Sequence, residues 1–226
     1  SGAKVTTKMK PEDFTFSVKY EGQETAGWIS NVRLQNNFIC FNVQPNFSKT
    51  QMRHARIEAA YSGGKGVIYV SQFNVGSQVD TLDIDEFKAL FPETGTFTPD
   101  KHYLVSGQVI NDNTELNGAE NRLSSIDAPD MTYSERIVYI QDENGTSGLK
   151  LVFSESAAAL VSLYDYVSID TYGLKVVHSA APDTYEIAGL PLSAAIRSYR
   201  GIQPQARTVS MSSLTDRDLY TRITLK

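Results

Sequence analysis

The chain has 226 residues and a mass of 25.0 kDa, room for one large or two modest domains. Its composition, 41% apolar and 21% charged, is ordinary for a globular protein and excludes a largely disordered chain. One cysteine excludes a disulfide scaffold, and the longest strictly apolar run, Ala157 to Val161, is far below the roughly 20 residues of a membrane-crossing helix.

Charge is uneven along the chain. Up to Val79 there are 9 basic and 5 acidic side chains, net +4; beyond it there are 12 and 21, net −9, and the two add to the overall −5. The change of sign predicts two units, 1–79 and 80–226. Period-two patterning stops at Gln72 and a helical pattern starts near Asp83, so the boundary is expected between Phe73 and Leu82, with few contacts crossing it. The acidic second unit argues against nucleic acid, which is held by clustered Lys and Arg. The chain opens Ser1-Gly2-Ala3 without signal-peptide features; such segments are removed from mature secreted proteins, so this decides nothing.

In the first unit, Phe14, Phe16, Val18 and Tyr20 alternate with polar residues and predict a half-buried strand. A polar turn between Gly22 and Gly27 follows. Ile39, Phe41 and Val43 predict a second strand, ended by Pro45-Asn46, with Cys40 inside it as a small buried thiol. Ala55, Ile57, Ala59 and Tyr61 predict a third, Ser62-Gly63-Gly64 a turn, and Val67 to Val70 a returning strand. Short strands at this spacing, without a helical stretch, read as a small β-sandwich.

Trp28, the run Phe38 to Val43, Asn46, Arg53, the strand Ala55 to Tyr61 and Val67-Ile68-Tyr69-Val70-Ser71-Gln72 follow one known pattern over about 60 residues. It resembles the BACON domain, an immunoglobulin-like module of Bacteroidota surface and secreted proteins. The glycine usual after the glutamine is replaced by Phe73-Asn74. The resemblance implies carbohydrate binding or a plain spacer. Trp28 reads as a core residue, with sugar stacking as the second reading.

In the second unit, Asp83 to Phe91 predicts a short helix with acids in its first turn, Ile84, Phe87, Leu90 and Phe91 on one face, and Pro92 as its stop. Tyr103 to Ile110 predicts a strand with Gly107 at a bulge or bend. The polar segment Asn111 to Glu135 is long enough to be functional or mobile. Its first half, Asp112 to Gly118, is expected to stay free. Leu123, Ile126, Met131 and Tyr133 are expected to pin its second half. Arg136 to Gln141 and Leu149 to Phe153 predict a hairpin about Asp142-Glu143-Asn144-Gly145. Ser154 to Asp165 predicts a helix of one to three turns, Tyr166 to Val177 a long strand interrupted at Gly173, and Tyr185 to Leu190 a last one. This is the chain order of an OB barrel, with a split sandwich as the alternative. The expected class is therefore all-β: an immunoglobulin-like sandwich followed by an OB-like barrel with short helices.

Five pieces carry a second resemblance: Ile84-Asp85-Glu86-Phe87, Val105 to Ile110, Val138 to Asp142, Gly148 to Leu151 and Val167 to Leu174. With the closing piece Val209 to Leu214 and Leu219 to Leu225, they resemble an uncharacterised OB-like domain of Bacteroidota lipoproteins. Tyr220-Thr221-Arg222 stands where that family usually has a glycine-containing segment. The resemblance implies location and fold and no chemistry.

No catalytic set is apparent. His54, His102 and His178 lie in three unrelated contexts without metal-ligand spacing, and no G-x-S-x-G elbow is present. No pair of acids is set apart for glycoside hydrolysis. Asn111 to Gly118 imitates a calcium loop, but Leu116 fills the glycine position. Asp80-Thr81-Leu82 resembles a short O-glycosylation signal in an exposed linker. OB barrels bind through the outer face of their second and third strands. With Val138, Ile140, Leu149, Leu151 and Phe153 inward, that face carries Tyr139, Gln141 and Lys150, the candidate ligand residues. The expected function is a non-enzymatic, lipid-anchored surface protein, on the outer face of the outer membrane or in the periplasm, without cofactor or metal. It would bind a glycan or a surface protein; the alternative is a scaffold holding a further C-terminal module off the membrane.

Overall fold

The computed structural model describes residues 2–4, 10–20, 26–48, 52–115, 131–200, 202–204 and 206–226, with backbone alone for 2–4, 131 and 197–200. The fold is all-β with short helices, and it divides into two compact units, Ser1–Ser77 and Gln78–Lys226. No helix among the described residues is long and apolar enough to cross a membrane.

The described residues of the first unit form six strands. One antiparallel sheet has the order β1-β4-β3, from β1 (Gly2–Lys4), β3 (Ile29–Gln35) and β4 (Phe38–Val43). The other has the order β2-β5-β6, from β2 (Thr15–Tyr20), β5 (Arg53–Tyr61) and β6 (Gly64–Gln72). Alternation does the work in β2 and β5: Phe16, Val18 and Tyr20 turn inward against Ala55, Ile57 and Ala59, which are buried. Trp28, Ile29, Ala55 and Ile57 form the centre of the core, and Val32, Phe41, Ile68 and Val70 pack on it.

β3 does not show in the alternation because it is bulged. Asn31, at φ 54°, shifts the register between Ser30 and Arg33, so the inward residues Ile29, Val32 and Leu34 are spaced three and then two apart. Asn36 and Asn37, at φ 51° and 63°, then close a two-residue hairpin into β4; asparagine accepts this left-handed backbone better than most residues. Cys40 is half-buried, a correction to the buried thiol: it lies mid-sheet between Gly2 and Arg33 on a strand whose neighbouring Ile39 takes the core side.

The residues that carried the first resemblance interlock. The Arg53 guanidinium sits 4.4 Å above the Trp28 ring, its Nε donates to Gln72 Oε1 at 2.8 Å, and a second N–H is bonded to the Gln44 carbonyl. Asn46 is buried, donates to the Gln72 carbonyl and accepts from the Ser48 N–H at 3.1 Å. Trp28 is 2% exposed and so belongs to the core, with no ring face left to stack on a sugar.

The second unit opens with β7 (Val79–Leu82), which runs parallel to the start of β9 (His102–Val109). Asp80-Thr81-Leu82 is thus paired strand and no linker, a correction set by this ladder. Helix α1 (Ile84–Ala89) follows, with a reciprocal cap: Asp83 Oδ1 accepts from Glu86 N at 2.7 Å and Glu86 Oε2 accepts from Asp83 N at 3.0 Å. Ile84 and Phe87 are fully buried, but the helix ends at Ala89, which leaves Leu90 exposed and off the predicted face. Asp83→Ala should lower stability by about 1 kcal/mol, read as a shift in the thermal midpoint.

β9 continues a large mixed sheet with β8 (Gly95–Phe97), β10 (Ile137–Gln141), β11 (Gly148–Phe153), β12 (Asp165–Asp170), β13 (Lys175–Ala180), β14 (Asp183–Leu190) and β15 (Ala195–Arg200). Its order is β15-β12-β9-β10-β11-β14-β13-β8, with β7 also on β9; β11 and β14 are parallel. The predicted long strand at 166–177 is two strands, β12 and β13. The turn at Thr171–Leu174 divides them, with Gly173 at φ 69° and the Leu174 N–H bonded to the Thr171 carbonyl. Only four residues separate β12 from β13, yet they lie far apart in the pairing order, so the sheet must curl.

Gly107 marks the place on β9 where the partner changes from β7 to β10. A Cβ there would stand 2.8 Å from the Gln141 carbonyl oxygen and 3.1 Å from Ile140 Cβ, so the glycine serves close approach. Gly107→Ala should cost about 1–3 kcal/mol in chemical denaturation.

The helix expected over Ser154 to Asp165 is absent. Ala157 and Val161 are buried around one isolated turn, in which the Leu160 and Val161 N–H groups share the Ala157 carbonyl, and Tyr164 leaves it at φ 67°. One turn fixes too much backbone for too few hydrogen bonds to propagate. In the polar segment, residues 116–130 lie outside the described residues, with Leu123 and Ile126; of Met131 only the backbone is described. Its start is tied, contrary to the free first half: Asn113 is buried and donates to the Glu135 carbonyl at 3.0 Å, and Asn111 bonds both Ile137 and Tyr139 backbone. Met131–Ser134 forms the short helix α2. β16 (Arg207–Val209) and β17 (Ile223–Leu225) pair in parallel at the end of the chain.

Candidate functional site

The structure brings Tyr139, Gln141 and Lys150 onto one face: Tyr139 pairs with Lys150 across β10 and β11, and Gln141 with Gly148. That face is not open to solvent, which corrects the expectation of an outward surface. The chain's own C-terminal segment covers it. Tyr220 stacks on Tyr139 at 4.9 Å between ring centroids and 9° between planes. The Arg222 N–H donates to Gln141 Oε1 at 2.8 Å, and Arg207 bonds both the Gly145 carbonyl and Asp218. Lys150 is buried and forms an ion pair with Glu186, its register partner on β14, at 3.0 Å. Gln141 is 1% exposed.

A different part of the second unit is concave. A cleft of about 520 Å³ is lined by Asp85, Lys88, Ala89, Pro92, Thr146, Ser147, His178, Asp183, Tyr185 and Arg217. Four separate stretches supply it: α1 with the residues just after it, the β10–β11 loop, the β13–β14 hairpin, and a single 3-10 turn at Asp216–Asp218. The β10–β11 loop folds about Asp142, whose carboxylate accepts the Thr146 and Ser147 N–H groups at 2.8 and 3.1 Å and so aims Ser147 into the cleft. The hairpin places His178 opposite Tyr185, with the rings stacked at 4.1 Å.

Polar contacts fix these side chains. The two ring nitrogens of His178 face acceptors, the Glu93 carbonyl at 3.0 Å and Asp183 Oδ1 at 2.8 Å. The Tyr185 hydroxyl donates to the Phe91 carbonyl, and burial, reinforced by Asp183, pushes its pKa up. Lys88 donates to Ser147 Oγ at 2.9 Å and lies 5.6 Å from the Tyr185 ring centre. Burial pushes the Lys88 pKa below its ordinary value, with Asp85, Asp183 and Asp142 opposing and Arg217 adding to the fall. Asp183 is further held by its backbone N–H, which donates to Asp216 Oδ2.

The remaining histidines stay apart. His54 bonds Ser71, and His102 bonds Asp170 at 2.9 Å beneath Tyr172. Among the described residues no group of three or more His, Cys, Asp or Glu side chains is placed to hold a metal ion. Sequence reading missed the cleft because its members are scattered between residues 85 and 217 and share no local spacing; the histidine–tyrosine pair becomes visible only once the hairpin register is known. No known protein family, no curated protein and no solved structure matches this chain.

Proposed function

We propose that the protein is a non-enzymatic, lipid-anchored component of a cell surface, and that the cleft of its second unit binds a glycan or a surface partner. The first unit's pairing supports an immunoglobulin-like reading: the orders β1-β4-β3 and β2-β5-β6 correspond to strands B-E-D and C-F-G of that sandwich without its A strand. The interlocked Trp28, Asn46, Arg53 and Gln72 support the BACON resemblance. In the second unit, β9, β10, β11, β12 with β13, and β14 stand in for OB strands one to five. The first pairs with the second and fourth, and the third runs parallel to the fifth, as a curled sheet closing on itself requires. Tyr220 takes a left-handed backbone, φ 59°, within the segment that replaces the usual glycine.

The observation that carries the binding reading is the cleft itself. It concentrates hydrogen-bonding and charged side chains from four stretches of chain around one concavity, as a site for a polar ligand requires. The covered β10–β11 face favours the scaffold reading instead, since it removes the usual OB binding surface. A glycan array and a pull-down from surface extracts test the proposal. Retention of a glycan or a surface protein supports it; retention of neither, with a further domain encoded downstream, would establish the scaffold.

A further inference from the structure

Resting on the binding reading above, we propose that the cleft selects an anionic sugar unit, a hydroxylated ring bearing a carboxylate or a sulfate. Its anion would lie between Lys88 and Arg217, with its hydroxyls against Asp85 and Asp183. Lys88 has three donor positions and spends one on Ser147 Oγ. Arg217 is exposed and makes no hydrogen bond or ion pair with another described residue. Asp183 gives one carboxylate oxygen to His178 and keeps the other, on a side chain 54% exposed.

Tyr185 offers no platform for a neutral sugar ring to stack on. His178 lies against it at 4.1 Å, and the Lys88 ammonium stands 5.6 Å from its centre. Recognition therefore falls to charge and hydrogen bonds. The lining holds two cations and two carboxylates, and Asp142 behind it also acts on Lys88, but they are not equally wet. Lys88 is half-buried, whereas Asp85, Asp183 and Arg217 are exposed. A charge in the drier position interacts more strongly, so the space beside the Lys88 ammonium favours an anion. The depressed Lys88 pKa has the same cause: an ammonium partly stripped of water with no carboxylate in ion-pair contact. An arriving anion supplies that contact. The two exposed carboxylates then serve as acceptors for ring hydroxyls, a role that repels a bare anion but suits a polyhydroxylated one.

The test is a titration of the full chain, followed by nuclear magnetic resonance, with glucuronate, glucose 6-sulfate and glucose. Shifts of Lys88, Ser147 and Tyr185 signals with the two acids and not with glucose are expected. Lys88→Met and Arg217→Gln should each weaken acid binding by about ten-fold or more while leaving the remaining spectrum folded. Equal shifts with glucose would overturn the anion selection while leaving glycan binding standing. No shift of these signals with any probe would overturn the inference, and the glycan array then decides the broader reading separately.

Discussion

Trp28→Ala is expected to lower the stability of the first unit by about 3–5 kcal/mol, a large part of the roughly 4–12 kcal/mol that a unit of this size has to lose. Trp28 is 2% exposed at the centre of a small core, between Tyr20, 5.7 Å away, and the Arg53 guanidinium. Its removal leaves a cavity that Ile29, Ala55 and Ile57 are too short to fill. It also strips Arg53 of the ring beneath it, and with that the brace from β5 to Gln72 and Gln44. The indole N–H has no hydrogen-bond partner among the described residues, so Trp28→Phe should recover most of the loss. Calorimetry of the full chain reads this as one transition moved down sharply in the alanine variant and slightly in the phenylalanine variant. An unchanged alanine profile would show that the core lies elsewhere.

Gly148→Ala is expected to detach the C-terminal segment. A Cβ at this position would stand 1.9 Å from the Tyr220 carbonyl oxygen and 2.4 Å from its carbonyl carbon, backbone atoms that no rotamer change can move aside. Either β11 or the segment must give way. β11 is buried along its whole length and paired on both sides, so the segment moves. The Tyr139–Tyr220 stack and the Gln141–Arg222 bond are lost, at a cost of about 2–4 kcal/mol. The variant should become sensitive to trypsin at Arg217 and Arg222 under conditions where the parent resists. A variant as resistant as the parent would mean that the segment is not held through Gly148.

These two sites also show what the sequence could and could not reveal. Strands with clean alternation, β2, β5 and the β10–β11 hairpin, were legible because one buried face imposes a period of two. The bulge at Asn31 hides β3, and the apolar pattern that runs on past Gly173 hides the division of 166–177 into two strands. The helix expected over Ser154 to Asp165 rests on propensity alone, and only one turn of it forms, at Ala157 to Val161. Tyr139, Gln141 and Lys150 share one face, as strand alternation dictates. That Tyr220 and Arg222 cover this face could not be read locally, since some seventy residues separate the covering segment from the strands. The cleft was illegible for the same reason: Lys88 and Ser147 meet across 59 positions of chain.

We propose that ligand binds in the cleft and not on the covered β10–β11 face. The most direct measurement takes the glycan or surface protein retained by the full chain and compares its affinity for Lys88→Met and Lys150→Met. Lys88 lines the cleft, and Lys150 is buried on the covered face beside Glu186. Lys88→Met is expected to lose about ten-fold or more in affinity while Lys150→Met binds like the parent. Loss of binding in Lys150→Met with Lys88→Met unaffected would contradict it.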